Sequence, residues 1–239
     1  VHRNFSDINA LLPELSLRKV LFTNGLLLGR ELLEGLAFDE IQVSVDGLEE
    51  SHDALRGKGT FRKAMEAIEL ALSVGFEVSV ATMVHAKNLA DFEKMEQRFS
   101  DMGIKEWTVD VPCVTGRLEN YREFQIGPEE GGKFLRFGFG KGYHSGSPGF
   151  ACGPHLMSVM ADGSVAKCSF YGNQPAGRVE DGLRACRHRI KPMRLAELAC
   201  DCEHVESCRG GCRYRAALLG DPCGKDLYRC FLYDTMKSM

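Results

Sequence analysis

No cysteine precedes Cys113, so neither a disulfide nor a thiolate metal site can be built from the first 112 residues of this 239-residue chain. Tryptophan is almost absent, with Trp107 alone, and there are only 8 prolines. Low-complexity tracts and internal repeats are missing too, which excludes solenoids and Pro-rich linkers. No apolar run approaches the roughly 20 residues of a membrane-spanning helix. Nor is there an excess of one charge. The 30 Lys and Arg against 33 Asp and Glu leave −3, which gives no reason to expect nucleic acid or an anionic membrane as a partner. With 44% hydrophobic and 26% charged residues, the composition is that of a soluble globular protein of one or two domains. No charged and apolar leader opens at Val1-His2-Arg3-Asn4, and the expected location is the cytoplasm.

What is abundant is cysteine near the far end. The pattern is Cys152-x10-Gly163-x4-Cys168, a gap holding Cys186, then Cys200-x-Cys202-x5-Cys208-x3-Cys212, and finally Cys223 and Cys230. Three readings compete. A disulfide framework suits small secreted domains. Structural zinc prefers Cys-x2-Cys or Cys/His knuckles, whereas here the spacings are x1, x5 and x3 and only His204 lies among them. Cys152, Cys168, Cys200, Cys202, Cys208, Cys212, Cys223 and Cys230 are eight thiols, as many as two four-ligand iron–sulfur centres need.

The first 115 residues alternate strand and helix. Arg18 to Thr23 is a short apolar run stopped by Asn24-Gly25, and Leu26 to Leu36 is a leucine-rich helix candidate. Ile41 to Asp46 alternates as a strand and stops at Gly47. Thr60 is expected to cap a helix whose Phe61, Ala64, Met65, Ile68, Ala71 and Leu72 keep helical spacing up to Gly75. Phe76 to Met83 is a third strand. A helix beginning at Asn88 or Asp91 leads to a fourth, Ile104 to Val111. Short links between such elements predict a parallel sheet. Two strands keep one polar face, with Gln42, Ser44 and Asp46 on one and Thr108 and Asp110 on the other. The opposite faces carry Ile41, Val43 and Val45, then Trp107, Val109 and Val111. Helices can cover the apolar face, and the polar one is expected to line a cavity for a polar ligand. Farther on, Asp162-Gly163 between Leu156–Met160 and Val165–Cys168 predicts a hairpin.

These segments carry a resemblance. Thr23-Asn24-Gly25 is similar to the TNG turn of radical S-adenosylmethionine (radical SAM) enzymes, and Ser44-Val45-Asp46-Gly47 to their S-[ILV]-D-G strand end. His52-Asp53-Ala54-Leu55-Arg56-Gly57-x-Gly59-Thr60-Phe61 resembles the segment that follows it. The cysteine array resembles the SPASM domain, a module for auxiliary 4Fe-4S clusters. Together the matches run from about residue 15 to residue 235. The resemblance implies the C-terminal portion of a partial (β/α) barrel over 1–115, a bridging segment over 116–150 and a small Cys-rich α+β cluster domain over 151–239. It implies contacts to S-adenosylmethionine from Thr23, Ser44 and Arg56. Cys152, Cys168 and Cys212 resemble ligands of a first cluster, whose fourth ligand stays open among Cys113, Cys186, Cys223 and an open iron site. Cys200, Cys202, Cys208 and Cys230 resemble ligands of a second.

Family members also carry C-x3-C-x2-C, which holds a third, radical-generating cluster; this chain has no such motif. The expectation is therefore a part of a longer enzyme, unable by itself to cleave S-adenosylmethionine to a 5′-deoxyadenosyl radical. The complete enzyme would modify a peptide, a protein or a cofactor precursor, with a flavodoxin or ferredoxin as electron donor. A non-catalytic iron–sulfur electron-transfer scaffold and a zinc-binding interaction module are the alternatives. Ser169 follows Cys168 where sulfatase-maturing members place Asp, so the formylglycine reaction is not expected.

Overall fold

The computed structural model describes residues 3–140, 147–153 and 155–235; the expected bridge thus falls partly outside the described residues. The chain forms two compact units, Val1–Ile126 with Phe134–Gly142, and Gly127–Lys133 with Tyr143–Met239. The first runs α1 (Phe5–Leu11), β1 (Val20–Thr23), α2 (Arg30–Glu34), β2 (Glu40–Ser44), α3 (Glu49–Arg56), α4 (Thr60–Val74), β3 (Glu77–Met83), α5 (Phe92–Asp101) and β4 (Glu106–Asp110). Its four strands pair in parallel in chain order, β1-β2-β3-β4. Each parallel step needs a crossover, which the intervening helices supply. The four expected strands are all present. The leucine-rich helix is shorter than its composition suggests. Asn24 Oδ1 accepts the Leu26 N–H, and Leu28 N–H bonds back to the Gly25 carbonyl, so the turn consumes Leu26 to Leu28.

α4 buries Phe61, Ala64, Met65, Ile68 and Ala71 on one stripe. Thr60 does not cap it. Thr60 is already the first helical residue, and the carboxylate of Asp53, on α3, takes that role. Asp53 accepts the Phe61 N–H at 2.8 Å and the Gly59 N–H at 2.5 Å. Those two donors hold the Asp53 carboxyl below its ordinary range, as expected for an anion at a helix start.

The sheet has two unlike faces. Ile41, Val43, Val45, Val78, Val80 and Trp107 are buried on one, with the buried residues of α4 and with Phe92, Met95 and Phe99 of α5. Phe92 and Phe99 stand 5.8 and 5.3 Å from Trp107, centroid to centroid. Trp107 Nε1 donates to Thr82 Oγ1, and Thr82 to the Val45 carbonyl, so the polar atoms in this core are satisfied. Strand register places Phe22, Gln42, Ser44, Ser79, Ala81 and Thr108 on the opposite face. At the N-terminal strand ends Glu40, 1% exposed, accepts from Ser79 at 2.6 Å and from Lys105 at 3.1 Å, and also pairs with Arg18. Glu77 binds the same two cations and its carboxyl is held below the usual range, chiefly by Lys105.

The second unit contains α6 (Pro128–Phe134), whose last residue belongs to the first. It continues with an antiparallel sheet of β5 (Ser158–Val159), β6 (Ser164–Ala166) and β7 (Gly177–Arg178), then α7 (Leu183–Arg189), α8 (Val205–Cys208), α9 (Arg213–Leu218) and α10 (Leu227–Leu232). The expected Asp162-Gly163 hairpin joins β5 to β6, with Asp162 Oδ1 accepting the Ser164 N–H. Ala151, Leu195 and Leu198 form a small core with Met193, Cys200 and Val205 packed on it. Regular elements are short here. Among the described residues no helix is long and apolar enough to cross a membrane.

Candidate functional site

The C-terminal end of β2 is organised around Asp46, 1% exposed. Its carboxylate accepts from Arg56 Nε at 2.5 Å and from the Met83 N–H at 2.7 Å. Its backbone N–H donates to His52 Nδ1. Lys87 N–H donates to His85 Nδ1, which leaves Nε2 to carry the proton and donate to the Asp46 carbonyl at 2.9 Å; Asn88 donates to that same carbonyl. Burial lowers the pKa of both histidines, so both rings are neutral near pH 7. Gly47 follows with φ +137°, and a Cβ there would lie 2.7 Å from Ser51 Cβ. The S-V-D-G and H-D-x-L-R-G segments are thus two halves of one hydrogen-bonded strand end. His85 and Asn88, which complete it, carry no motif of their own in the sequence.

This arrangement sorts the expected cofactor contacts. Ser44 is half-buried on the polar face at the same strand end. Gln42, one side-chain repeat below, is 5% exposed and its Nε2 has no hydrogen-bond partner among the described residues. Thr23 alternates onto the other face, paired with Val43, and its Oγ1 accepts the Gly25 N–H at 3.1 Å. Arg56 is engaged by Asp46. The structure places Ser44 and Gln42 on one face, Thr23 in a turn and Arg56 in an ion pair with Asp46.

The second unit gathers the thiols into two groups. Burial raises the Cys152 thiol pKa, and the neighbouring Cys212 and Cys168 thiolates add to it. Tyr171 lies beside the same three sulfurs; burial first, then their charge, pushes its hydroxyl up to about 12. Cys200, Cys202, Cys208 and Cys230 line one pocket, partly open to solvent, together with Gly210, Asp226, Arg229, Tyr233 and Thr235. Burial raises the pKa of Cys200, Cys208 and Cys230 as well. Gly210 lies beside Cys208 in this lining, and Thr235 Oγ1 donates to the Cys230 carbonyl at 3.1 Å. Among the described residues no three His, Cys, Asp or Glu side chains converge closely enough to hold one metal ion. The four thiols surround a space rather than a point.

The remaining cysteines separate from these. Cys186 is fully buried and its Sγ donates to the Arg178 carbonyl at 3.2 Å. Cys113 belongs to the first compact unit. Cys223 is held through its backbone, its carbonyl accepting from Ala199 and its N–H donating to Asp221.

Three arginines frame the cysteines differently. Arg209 donates to the Ser147 and Phe150 carbonyls. Arg215 is neutralised by Asp226 at 2.9 Å, both side chains being almost fully buried. Asp226 Oδ2 also accepts the Cys212 N–H at 2.7 Å. A Cβ on Gly211 (φ +69°) would sit 2.5 Å from that oxygen, so the chain approaches it there only as glycine. Arg213, 1% exposed, has no carboxylate partner among the described residues.

The comparisons with known proteins agree with this geometry. The radical SAM superfamily matches residues 3–99. The AdoMet-dependent heme synthase of Methanosarcina barkeri is 31% identical over 150 residues, 60% of this chain and 42% of that protein. The antilisterial bacteriocin subtilosin biosynthesis protein AlbA of Bacillus subtilis is 32% identical over 140 residues, 52% of this chain and 31% of that one. The sporulation killing factor maturation protein SkfB of the same organism is 24% identical over 225 residues, 85% of this chain and 54% of that one. The chain thus spans from 31% to 54% of the length of these relatives. A solved structure of anSMEcpe with AdoMet and the Cp18Cys peptide has a TM-score of 0.68 at 20% identity, covering 100% of this chain and 79% of that chain. At that identity the likeness establishes the fold, an open parallel α/β sheet with a further Cys-rich portion. The match to the radical SAM superfamily thus falls on residues 3–99, the part of the chain that holds β1 to β3 and most of α5.

Proposed function

We propose that this chain is the cluster-binding C-terminal portion of a radical SAM/SPASM enzyme that modifies a peptide, a protein or a cofactor precursor. The observation that carries the reading is the segregation of the thiols. Cys152, Cys168 and Cys212 neighbour one another, while Cys200, Cys202, Cys208 and Cys230 surround one cavity. That is the interleaved order of two auxiliary 4Fe-4S sites, with Cys223 the candidate fourth ligand of the first. The donor chemistry fits, since soft thiolates suit iron–sulfur clusters. So does a surrounded space in place of a single-ion point.

When bound, such clusters supply one-electron chemistry, and S-adenosylmethionine supplies the hydrogen-abstracting group. The chain's own residues hold and position. Gly210 lines the same pocket as Cys208 and Cys230, and its N–H would donate to a cluster sulfur and so tune the potential. Ser44 offers its hydroxyl to S-adenosylmethionine on the polar face, above Gln42. The radical-generating cluster must come from a C-x3-C-x2-C segment that these 239 residues lack. The functional division is a barrel portion over 1–115, a bridge over 116–150 and a cluster module over 151–239. AlbA and SkfB, a biosynthesis and a maturation protein for a bacteriocin and a killing factor, support a peptide substrate. A peptide-bound structural neighbour does so too, and the heme synthase supports a cofactor precursor. A flavodoxin or ferredoxin would supply the electrons.

Oxygen-free purification followed by iron, acid-labile sulfide and zinc analysis tests the reading. Roughly eight iron and eight sulfide per chain are expected for two 4Fe-4S clusters. Cys230→Ser should lose about half of the iron, because its sulfur serves one cluster. Cys186→Ser should lose none. Stoichiometric zinc without sulfide would overturn the reading in favour of a zinc-stabilised module.

A further inference from the structure

Arg213 is unusual among the charged groups of this chain. It is 1% exposed, the second-largest side chain buried to this degree after Trp107. Burying a guanidinium is costly unless its charge is compensated. The other buried arginine, Arg215, has Asp226 for this purpose. Arg213 has only neutral carbonyls: Nη1 donates to Pro222 O at 3.0 Å and to Gly224 O at 2.7 Å, while Nε reaches Gly211 O at 3.5 Å. Its Nη2 is buried and makes no hydrogen bond among the described residues. A full positive charge and a free donor are therefore enclosed, with no carboxylate in ion-pair contact among the described residues.

The position narrows what they serve. Arg213 follows Cys212 directly, and its guanidinium packs over Gly210, where a Cβ would fall 2.9 Å from Nη2. Its Nη1 staples the residues on either side of Cys223. Arg213 therefore adjoins both groups, following Cys212 of the first and packing against Gly210, which lines the pocket of the second. Other cations act on one group each. Lys167 packs against Gly153, next to Cys152, while Arg229 lines the second pocket.

Resting on the two-cluster reading above, we infer that Arg213 is the shared counter-ion of both auxiliary clusters, with its free Nη2–H donated to a cluster sulfur. Reduction adds negative charge to each cluster, so an enclosed cation favours the reduced form of both. Arg213 thus raises both reduction potentials together and keeps the two sites electrostatically linked. It is a positioning and tuning residue, not a ligand.

The test is a redox titration followed by electron paramagnetic resonance on the anaerobically purified chain, comparing wild type, Arg213→Gln and Arg213→Lys. Iron and sulfide are quantified first in each. Arg213→Gln should lower both midpoint potentials, each by about tenfold in the reduction equilibrium, or about 59 mV for a one-electron couple. Arg213→Lys keeps the charge and should retain most of both potentials. If Arg213→Gln loses its clusters while Arg213→Lys keeps them near wild-type potentials, the charge requirement is upheld. Unmoved potentials in Arg213→Gln, a shift in only one cluster, or equal failure of the lysine variant would overturn the inference and assign Arg213 to stapling the 222–224 loop. A wild-type chain without clusters would refute the proposed function, and this inference with it. Clusters with unmoved potentials would refute the inference alone.

Discussion

The Asp46–Arg56 pair gives the sharpest test of the strand-end architecture. The sequence motif makes Arg56 a cofactor contact; the structure makes it the partner of a buried carboxylate. Asp46 has 2% of its side chain exposed and Arg56 32%. An exposed pair contributes about 0–1 kcal/mol, and removing one partner of a fully buried pair costs about 3–5 kcal/mol. This pair is mixed, and Asp46 keeps its bond to the Met83 N–H when Arg56 is removed. A coupling energy of about 2 kcal/mol follows. A double-mutant cycle of Asp46→Asn and Arg56→Gln measures it. Trp107, the lone tryptophan, lies in the core of the sheet, so its fluorescence reports unfolding of this unit. With a urea slope of about 1–3 kcal/mol per molar, each single variant should move the midpoint down by about 1 M. The double variant should cost little more than either alone. A coupling below about 0.5 kcal/mol would refute the structural role and return Arg56 to the cofactor.

Two further outcomes follow from the same strand end. His52 and His85 are buried neutral with pKa values below the ordinary 6.5. The unfolded chain therefore binds more protons than the native one below about pH 6.5, and stability falls with acidification from there. The Trp107 unfolding midpoint should be lower at pH 5.5 than at pH 7.5, a window above the range of the lowered carboxyls; equal midpoints would refute it. Gly47→Ala puts a Cβ 2.7 Å from Ser51 Cβ at φ +137°. It should destabilise by about 1–3 kcal/mol or more, whereas Gly29→Ala, with open space around it, serves as the control.

The sequence by itself determined the alternation of strand and helix, the two unlike faces of the sheet and the Asp162-Gly163 hairpin. Each of these rests on local periodicity or turn chemistry, which a single segment carries. The S-V-D-G, H-D-x-L-R-G and cysteine motifs likewise fixed the family resemblance by their order along the chain. Local pattern misjudged the start of α4, because the true cap, Asp53, reaches in from the preceding helix. It also passed over His85 and Asn88, whose only signal is their meeting with Asp46 some forty residues away. Only the tertiary structure decided that Cys186 is spent on a backbone carbonyl, and which of three similar arginines is enclosed without a carboxylate. Those properties depend on burial and on partners that the local sequence around Arg209, Arg213 and Arg215 does not specify.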